Sequence, residues 1–144
     1  MSTVEELEIA KALNARTIAV VGLSGDPAKP SYEVAAYLKF HGYHVVPINP
    51  TADEILGEKC YESLLGLPED LRAKLEVVDI FRRAQDVAPI VDQVIELHKT
   101  YGQLNSIWMQ LGIVDEDSAV RARKAGLGVV MNHCLMVEHR RRLG

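Results

Sequence analysis

With 144 residues, 48% of them hydrophobic and 25% charged, the chain has the composition of one globular domain and not of a disordered segment. Sixteen Lys and Arg against 20 Asp and Glu leave a net charge of −4, which excludes the global positive field of a generic nucleic-acid binder; an anionic ligand must be held locally. Two cysteines, Cys60 and Cys134, exclude a disulfide framework and a four-cysteine zinc site, and fit a cytoplasmic location.

The first segment is acidic and amphipathic, with Val4, Leu7, Ile9, Ala10 and Leu13 near helical spacing. Thr3 with Glu6 reads as a capping box. That start lacks the basic and apolar regions of a secretion signal, and no run of about 18 apolar residues is present to span a membrane. Thr17 to Gly22 is a β-branched run ending in glycine, a strand buried on both faces. Leu23 to Pro30 reads as a loop, and Ser31 as the cap of a helix running to about His41, stopped by Gly42. Tyr43 to Asn49 is a second strand; Pro47 inside it, which cannot donate to a ladder, either weakens that strand locally or places it nearer a sheet edge. Asn49-Pro50 opens a polar connection through Gly57, followed by a short helix at about Tyr61–Leu65. Glu76 to Phe81 is the third strand. Ala84 to Tyr101 has the strongest helical period. Leu104 to Leu111 is the fourth strand, Asp115 to Lys124 a helix, Leu127 to Met131 the fifth strand. A last helix starts near Leu135 and ends in the basic run Arg140–Arg142, which suits a helix C-terminus.

Strands alternating with helices predict an α/β fold: a Rossmann-like, doubly wound, parallel five-stranded sheet with helices on both faces, as one domain over residues 1–144. In such a sheet, ligands bind beyond the carboxyl ends of the strands. The first end, Gly22-Leu23-Ser24-Gly25, can cradle phosphate through backbone N–H groups or serve as a tight turn. It matches neither the dinucleotide fingerprint, nor a P-loop, nor a nucleophile elbow. Lys29 is the nearby cation. The second end, Asn49-Pro50, lacks the acid that reads the ribose of NAD. The third, Phe81-Arg82-Arg83, offers planar donors suited to phosphate. The fourth, Trp108 to Gly112, places Gln110 at the edge, with Trp108 read as core. The fifth ends in Asn132-His133-Cys134, where strand geometry keeps the two reactive side chains apart. The histidines have no zinc-ligand spacing, and the acidic pairs sit at helix starts. No catalytic or metal-binding residue is assigned.

The segments IAVVGLSGDPAKPSYEVAAYLKFHGYHVVPINP, EILGEKCYESLLGLPE, VDIFRR, IWMQLGI and AGLGVVMNHC follow one another between Ile18 and Cys134. In that order they resemble the small CoA-binding-domain proteins, stand-alone relatives of the N-terminal domain of the succinyl-CoA synthetase α-subunit. The resemblance implies coenzyme A as the cofactor. It places the CoA phosphates on Gly22, Leu23, Ser24 and Gly25, with Lys29 and Ser31 beside them. Asn49 and Pro50 would border the adenosine, Phe81 and Arg82 the far wall, and Gln110 to Gly112 the pantetheine arm. The synthetase has Thr-Glu where this chain has Gln110-Leu111, and its second domain carries the phosphorylated histidine. The expected function is therefore binding of CoA or an acyl-CoA without catalysis by the isolated chain. The alternatives are a subunit of an NDP-forming acyl-CoA synthetase-like complex and, third, a nicotinamide-dependent oxidoreductase. Expected partners are a small-molecule ligand and, in an oligomer or with a partner subunit, a protein, but not nucleic acid or membrane.

Overall fold

The computed structural model describes residues 3–143, so the outermost residues of the expected 1–144 unit lie outside the described residues. Helix α1 (Val4–Leu13) opens with the expected capping box: Thr3 Oγ1 accepts from the Glu6 N–H at 3.0 Å, and the Glu6 carboxylate accepts from the Thr3 N–H at 3.3 Å. Strand β1 (Thr17–Val21) leads to α2 (Pro30–Phe40) and β2 (His44–Ile48). A small antiparallel hairpin, β3 (Glu54–Ile55) and β4 (Glu58–Lys59), precedes a 3₁₀ turn at Leu64–Gly66 and α3 (Glu69–Lys74). Then follow β5 (Val77–Ile80), α4 (Val87–Thr100), β6 (Ser106–Met109), α5 (Glu116–Lys124), β7 (Gly128–Val130) and α6 (Leu135–Arg142).

The main sheet is five-stranded and parallel, in the order β2-β1-β5-β6-β7. The chain moves outward from β1 to β2, then returns to lay β5 on the other side of β1. That reversal puts the topological switch point between the carboxyl ends of β1 and β5. Side chains alternate along each strand. Ile18 and Val20 pack with Leu13, Val34, Leu38 and Leu135 under α1, α2 and α6. Ala19 and Val21 pack with Val87, Val91, Val94 and Ala122 under α4 and α5. Both faces are covered, so the strands read as continuous apolar runs; the molecule is a Rossmann-like α/β fold.

Pro47 lies in the edge strand, as its missing donor requires. Its carbonyl accepts from the Tyr61 N–H at 3.0 Å on the outer side, while the neighbouring Ile48 carbonyl accepts from the Gly22 N–H at 3.0 Å on the inner side. The absent proline N–H therefore faces away from β1, and the ladder is intact.

Three local expectations need correcting. Ser31 does not cap α2: Lys29 is the N-cap residue and Pro30 fills the first turn, while Ser31 is buried and its Oγ accepts from the Ser24 N–H at 2.9 Å. The expected helix at Tyr61–Leu65 is displaced to the 3₁₀ turn, because Tyr61 bridges to Ile48 as an extension of the sheet edge. The connection after Pro50 holds the β3–β4 hairpin, whose turn places Leu56 at φ 56° and Gly57 at φ 74°.

Candidate functional site

The glycine loop sits at the switch point. Gly22 has φ +85°, and a methyl group on its Cα would overlap the Phe81 carbonyl oxygen and lie 3.2 Å from Arg82 Nε. The Phe81 N–H in turn donates to the Val21 carbonyl at 2.8 Å. Only a residue without a Cβ lets the β1 and β5 ends approach this closely, and the approach brings Arg82 beside the loop.

Within the loop, polar side chains are engaged in building it. Ser24 Oγ accepts from the Asp26 N–H at 3.0 Å, and Asp26 Oδ1 from the Ala28 N–H at 2.9 Å. Asn49 Nδ2 donates to the Leu23 carbonyl at 2.9 Å. Its Oδ1 accepts from the Thr51 N–H at 2.8 Å, from Thr51 Oγ1 at 3.0 Å and from the Ala52 N–H at 3.0 Å. Asn49 thus ties the glycine loop to the β2–β3 connection. Leu23 is buried, and its side chain belongs to the core. The N–H groups of Leu23 and Gly25 have no protein partner among the described residues. Lys29 is exposed at the start of α2, and Arg82 is half-buried; neither makes an ion pair among the described residues. Arg83 points elsewhere, with its Nε 3.0 Å from Asp86 Oδ2 in a solvent-exposed pair.

A cavity of about 160 Å³ opens against the ends of β1 and β2, walled by Val21, Ile48, Pro50, Ser63, Leu64 and Ile90 and by the polar side chains Glu62, Arg82 and Gln93. Pro50 and Arg82, both named from the sequence as candidate site residues, line it. Ser63, Leu64 and Ile90 were not named, because they arrive from the 3₁₀ turn and α4, far along the chain.

Gln110 and Gly112 stand apart from that cavity, at the β6–β7 end. Gln110 is 4% exposed, and its Oε1 accepts from the Leu135 N–H at 3.0 Å, at the first turn of α6. Trp108 is core, as expected, with Nε1 donating to the His133 carbonyl at 2.8 Å. The Gly112 N–H donates to Asn132 Oδ1 at 2.7 Å. The two loops are locked together by these contacts. His133 Nε2 lies 3.0 Å from Glu5 Oε1, so its ring serves α1 and not Cys134. Cys134 is the half-buried N-cap residue of α6. Cys60 is buried, and burial first, then Asp53 and Glu54, push its thiol up. Among the described residues, no group of three or more His, Cys, Asp and Glu is placed to hold a metal ion.

One residue escaped sequence reasoning. Asp79 is fully buried in β5, between Val20 of β1 and Trp108 of β6, and both carboxylate oxygens lack a hydrogen-bond partner. Desolvation pushes its carboxyl well above the usual carboxylate range. The signal was an acid inside an otherwise apolar strand run.

Comparison with known proteins agrees with this architecture. An uncharacterised Bacillus subtilis protein, YneT, is 31% identical over 140 residues, covering 96% of this chain and 97% of that protein. A solved structure of a hypothetical protein from Pyrococcus horikoshii superposes with a TM-score of 0.86 at 37% identity, covering 99% of this chain and 94% of that one. The alpha subunit of an ADP-forming acetate–CoA ligase from Pyrococcus furiosus is 41% identical over 66 residues, which is 45% of this chain and only 14% of the ligase subunit. No helix among the described residues is long and apolar enough to cross a membrane. The family model described as "CoA binding domain" matches residues 16–140, which contain every strand and the whole glycine loop, and the chain belongs to that family.

Proposed function

We propose that the chain binds coenzyme A or an acyl-CoA along the carboxyl edge of the sheet. The observation that carries this reading is the Gly22 approach, which sets a loop with free N–H groups beside Arg82, with Lys29 following at the start of α2. Backbone donors in the loop that leads into a helix, joined by an arginine and a lysine, suit phosphate groups. The cavity beside Pro50 suits a flat, mostly apolar ring. Gly22, Leu23 and Gly25 would meet the phosphates through backbone, with Lys29 and Arg82 supplying charge. Ser24, Ser31, Asn49 and Gln110 would hold the loops in place. Phe81 and Gly112 would border the ligand. The bound group would supply a thiol and its acyl chemistry; the protein's own residues bind and orient.

Arg82→Ala is expected to weaken CoA binding by about ten- to a hundredfold, since charge-assisted contacts contribute roughly 1.5–3 kcal/mol. Calorimetric titration with CoA and with NAD tests both affinity and preference. The Asn49-Pro50 end offers no carboxylate to a ribose, so CoA should bind more tightly; equal or tighter NAD binding would overturn the reading.

The direction of the pantetheine arm has its own test. Cys134 is half-buried at a helix start, whereas the Cys60 thiol is buried and pushed up, so oxidised CoA should form its mixed disulfide on Cys134. Peptide mass mapping that finds the adduct on Cys60 alone would place the thiol end elsewhere.

A second reading rests on the ligase alpha subunit, which is a separate polypeptide in its own enzyme. This chain would then work in the cytoplasm as one part of an NDP-forming acyl-CoA synthetase-like assembly. Co-purification of a nucleotide-binding partner would support it, as would acyl-CoA formation that needs both chains.

A further inference from the structure

At the opposite end of the sheet from the glycine loop, the turns before β1 and β2 meet the ends of α1 and α2 and the last turns of α6. A depression of about 300 Å³ there is lined by Asn14, Arg16, His41, Tyr43 and His139. His139 is 6% exposed, and Tyr37 Oη lies 2.7 Å from its Nδ1. His41 Nδ1 donates to the Tyr37 carbonyl at 2.8 Å, which leaves Nε2 outside that bond. The two imidazole centroids are 5.0 Å apart, the Tyr43 ring is 5.7 Å from His139, and the Arg140 guanidinium stacks over Tyr37 at 5.4 Å.

The charge balance of this cluster is weighted toward cations. Arg16 comes from the α1–β1 turn, His41 from α2, and His139 and Arg140 from α6. Burial, then Tyr37, push the Tyr43 hydroxyl above its ordinary value, so that it adds no negative charge. Among the described residues no carboxylate lines the depression; the Glu76 carboxylate lies next to it, with Oε1 accepting from the Arg16 N–H at 2.9 Å and from the Thr17 N–H at 3.1 Å. The nearest acid in sequence, Glu138, is engaged by Arg141 at 3.0 Å and Arg142 at 3.6 Å. Arg16, His41, His139 and Arg140 outnumber the one neighbouring Glu76 carboxylate, so the cluster is open to an anion from solution.

We propose that this depression is a second ligand site, which takes a small tetrahedral dianion of the sulfate or phosphate kind together with a proton on the His41–His139 pair. Burial, then His41, hold the His139 imidazole below its ordinary value while the site is empty. An anion offsets both effects, so anion and proton bind together. Arg16 supplies the permanent charge and the imidazoles the conditional one. The site is separate from the nucleotide-facing edge and does not rest on that reading.

Sulfate is the probe, because its charge is constant between about pH 5.5 and pH 8, where imidazole titrates. Imidazole resonances are followed by NMR in an Arg82→Ala background, so that the glycine-loop site contributes less. Saturable shifts of the His41 and His139 signals are expected at the acid end. The apparent dissociation constant should then rise about tenfold per pH unit above the imidazole titration. His139→Gln should flatten that slope, and Arg16→Gln, at an exposed position that leaves the fold intact, should weaken binding at every pH. Shifts that never saturate, or an affinity equal at both ends of the pH range, would overturn the proposal.

Discussion

Alanine at Gly22 is expected to destabilise the protein by about 2–5 kcal/mol, while alanine at Gly112 costs only about 1–2 kcal/mol. The two glycines share the same φ of +85°, so the left-handed backbone strain is common to both. They differ in what an added methyl group meets. At Gly112 nothing lies within 4 Å; at Gly22 the methyl group overlaps a backbone carbonyl in the adjoining strand connection, which cannot step aside as a flexible side chain would. Overpacking against backbone adds roughly 1–3 kcal/mol to the strain. Urea unfolding measures both variants, with a lowered midpoint at unchanged slope as the signature of lost stability. Gly22→Ala should also abolish measurable CoA binding, because the Phe81–Arg82 segment must retreat from the loop. Equal destabilisation of the two variants would mean that the β1–β5 approach relaxes without cost.

Removing the acid from β5 is expected to do the reverse. Asp79→Val should stabilise the protein by about 1–3 kcal/mol at neutral pH, the range for an unsatisfied buried polar group. Valine suits a strand flanked by Val20 and Trp108, and it leaves nothing to desolvate. The pH dependence has a definite sign. A carboxyl whose folded pKa is raised keeps its proton in the folded state where the unfolded chain has lost it. Stability from this group is therefore greatest below the unfolded pKa and falls as pH rises toward the folded value. The stability gained by Asp79→Asn over the parent should grow with pH across that window. His139 contributes with the opposite sign, since its imidazole is held low, but it is common to both proteins and cancels in the difference. A pH-independent difference would show that Asp79 titrates alike in folded and unfolded chains.

The sheet was legible because its signals are local. Thr17–Val21, Val77–Ile80 and Gly128–Val130 are short β-branched runs closed by glycine or a loop, and a doubly covered parallel strand needs nothing else. The hairpin was not legible. Leu56 sits at φ 56° with no sequence mark of it, and only Gly57 hints at the turn. Helix α3 has no buried residue, so no apolar period announces it. At the site, the residue types at the strand ends could be read, but their duties could not. Asn49 reaches back 26 positions to Leu23, and Gln110 reaches forward 25 to Leu135. Such bonds depend on which strands become neighbours. Asp79 was hidden for a related reason: the strand could be read through it, but its lack of any partner follows only from its pairing between Val20 and Trp108 in the middle of the sheet.

The way Pro47 is placed bears on how this protein behaves in a crowded solution. An outer strand with a full row of donors and acceptors is a template for another chain. On β2 the proline carries no donor on the outward side, and its carbonyl, with the Asn49 N–H two residues on, is already bonded to the backbone of Tyr61. The hairpin segment thus closes the border that proline leaves incomplete. Strand addition at this side would first have to peel Tyr61 away, which protects this edge from edge-to-edge polymerisation.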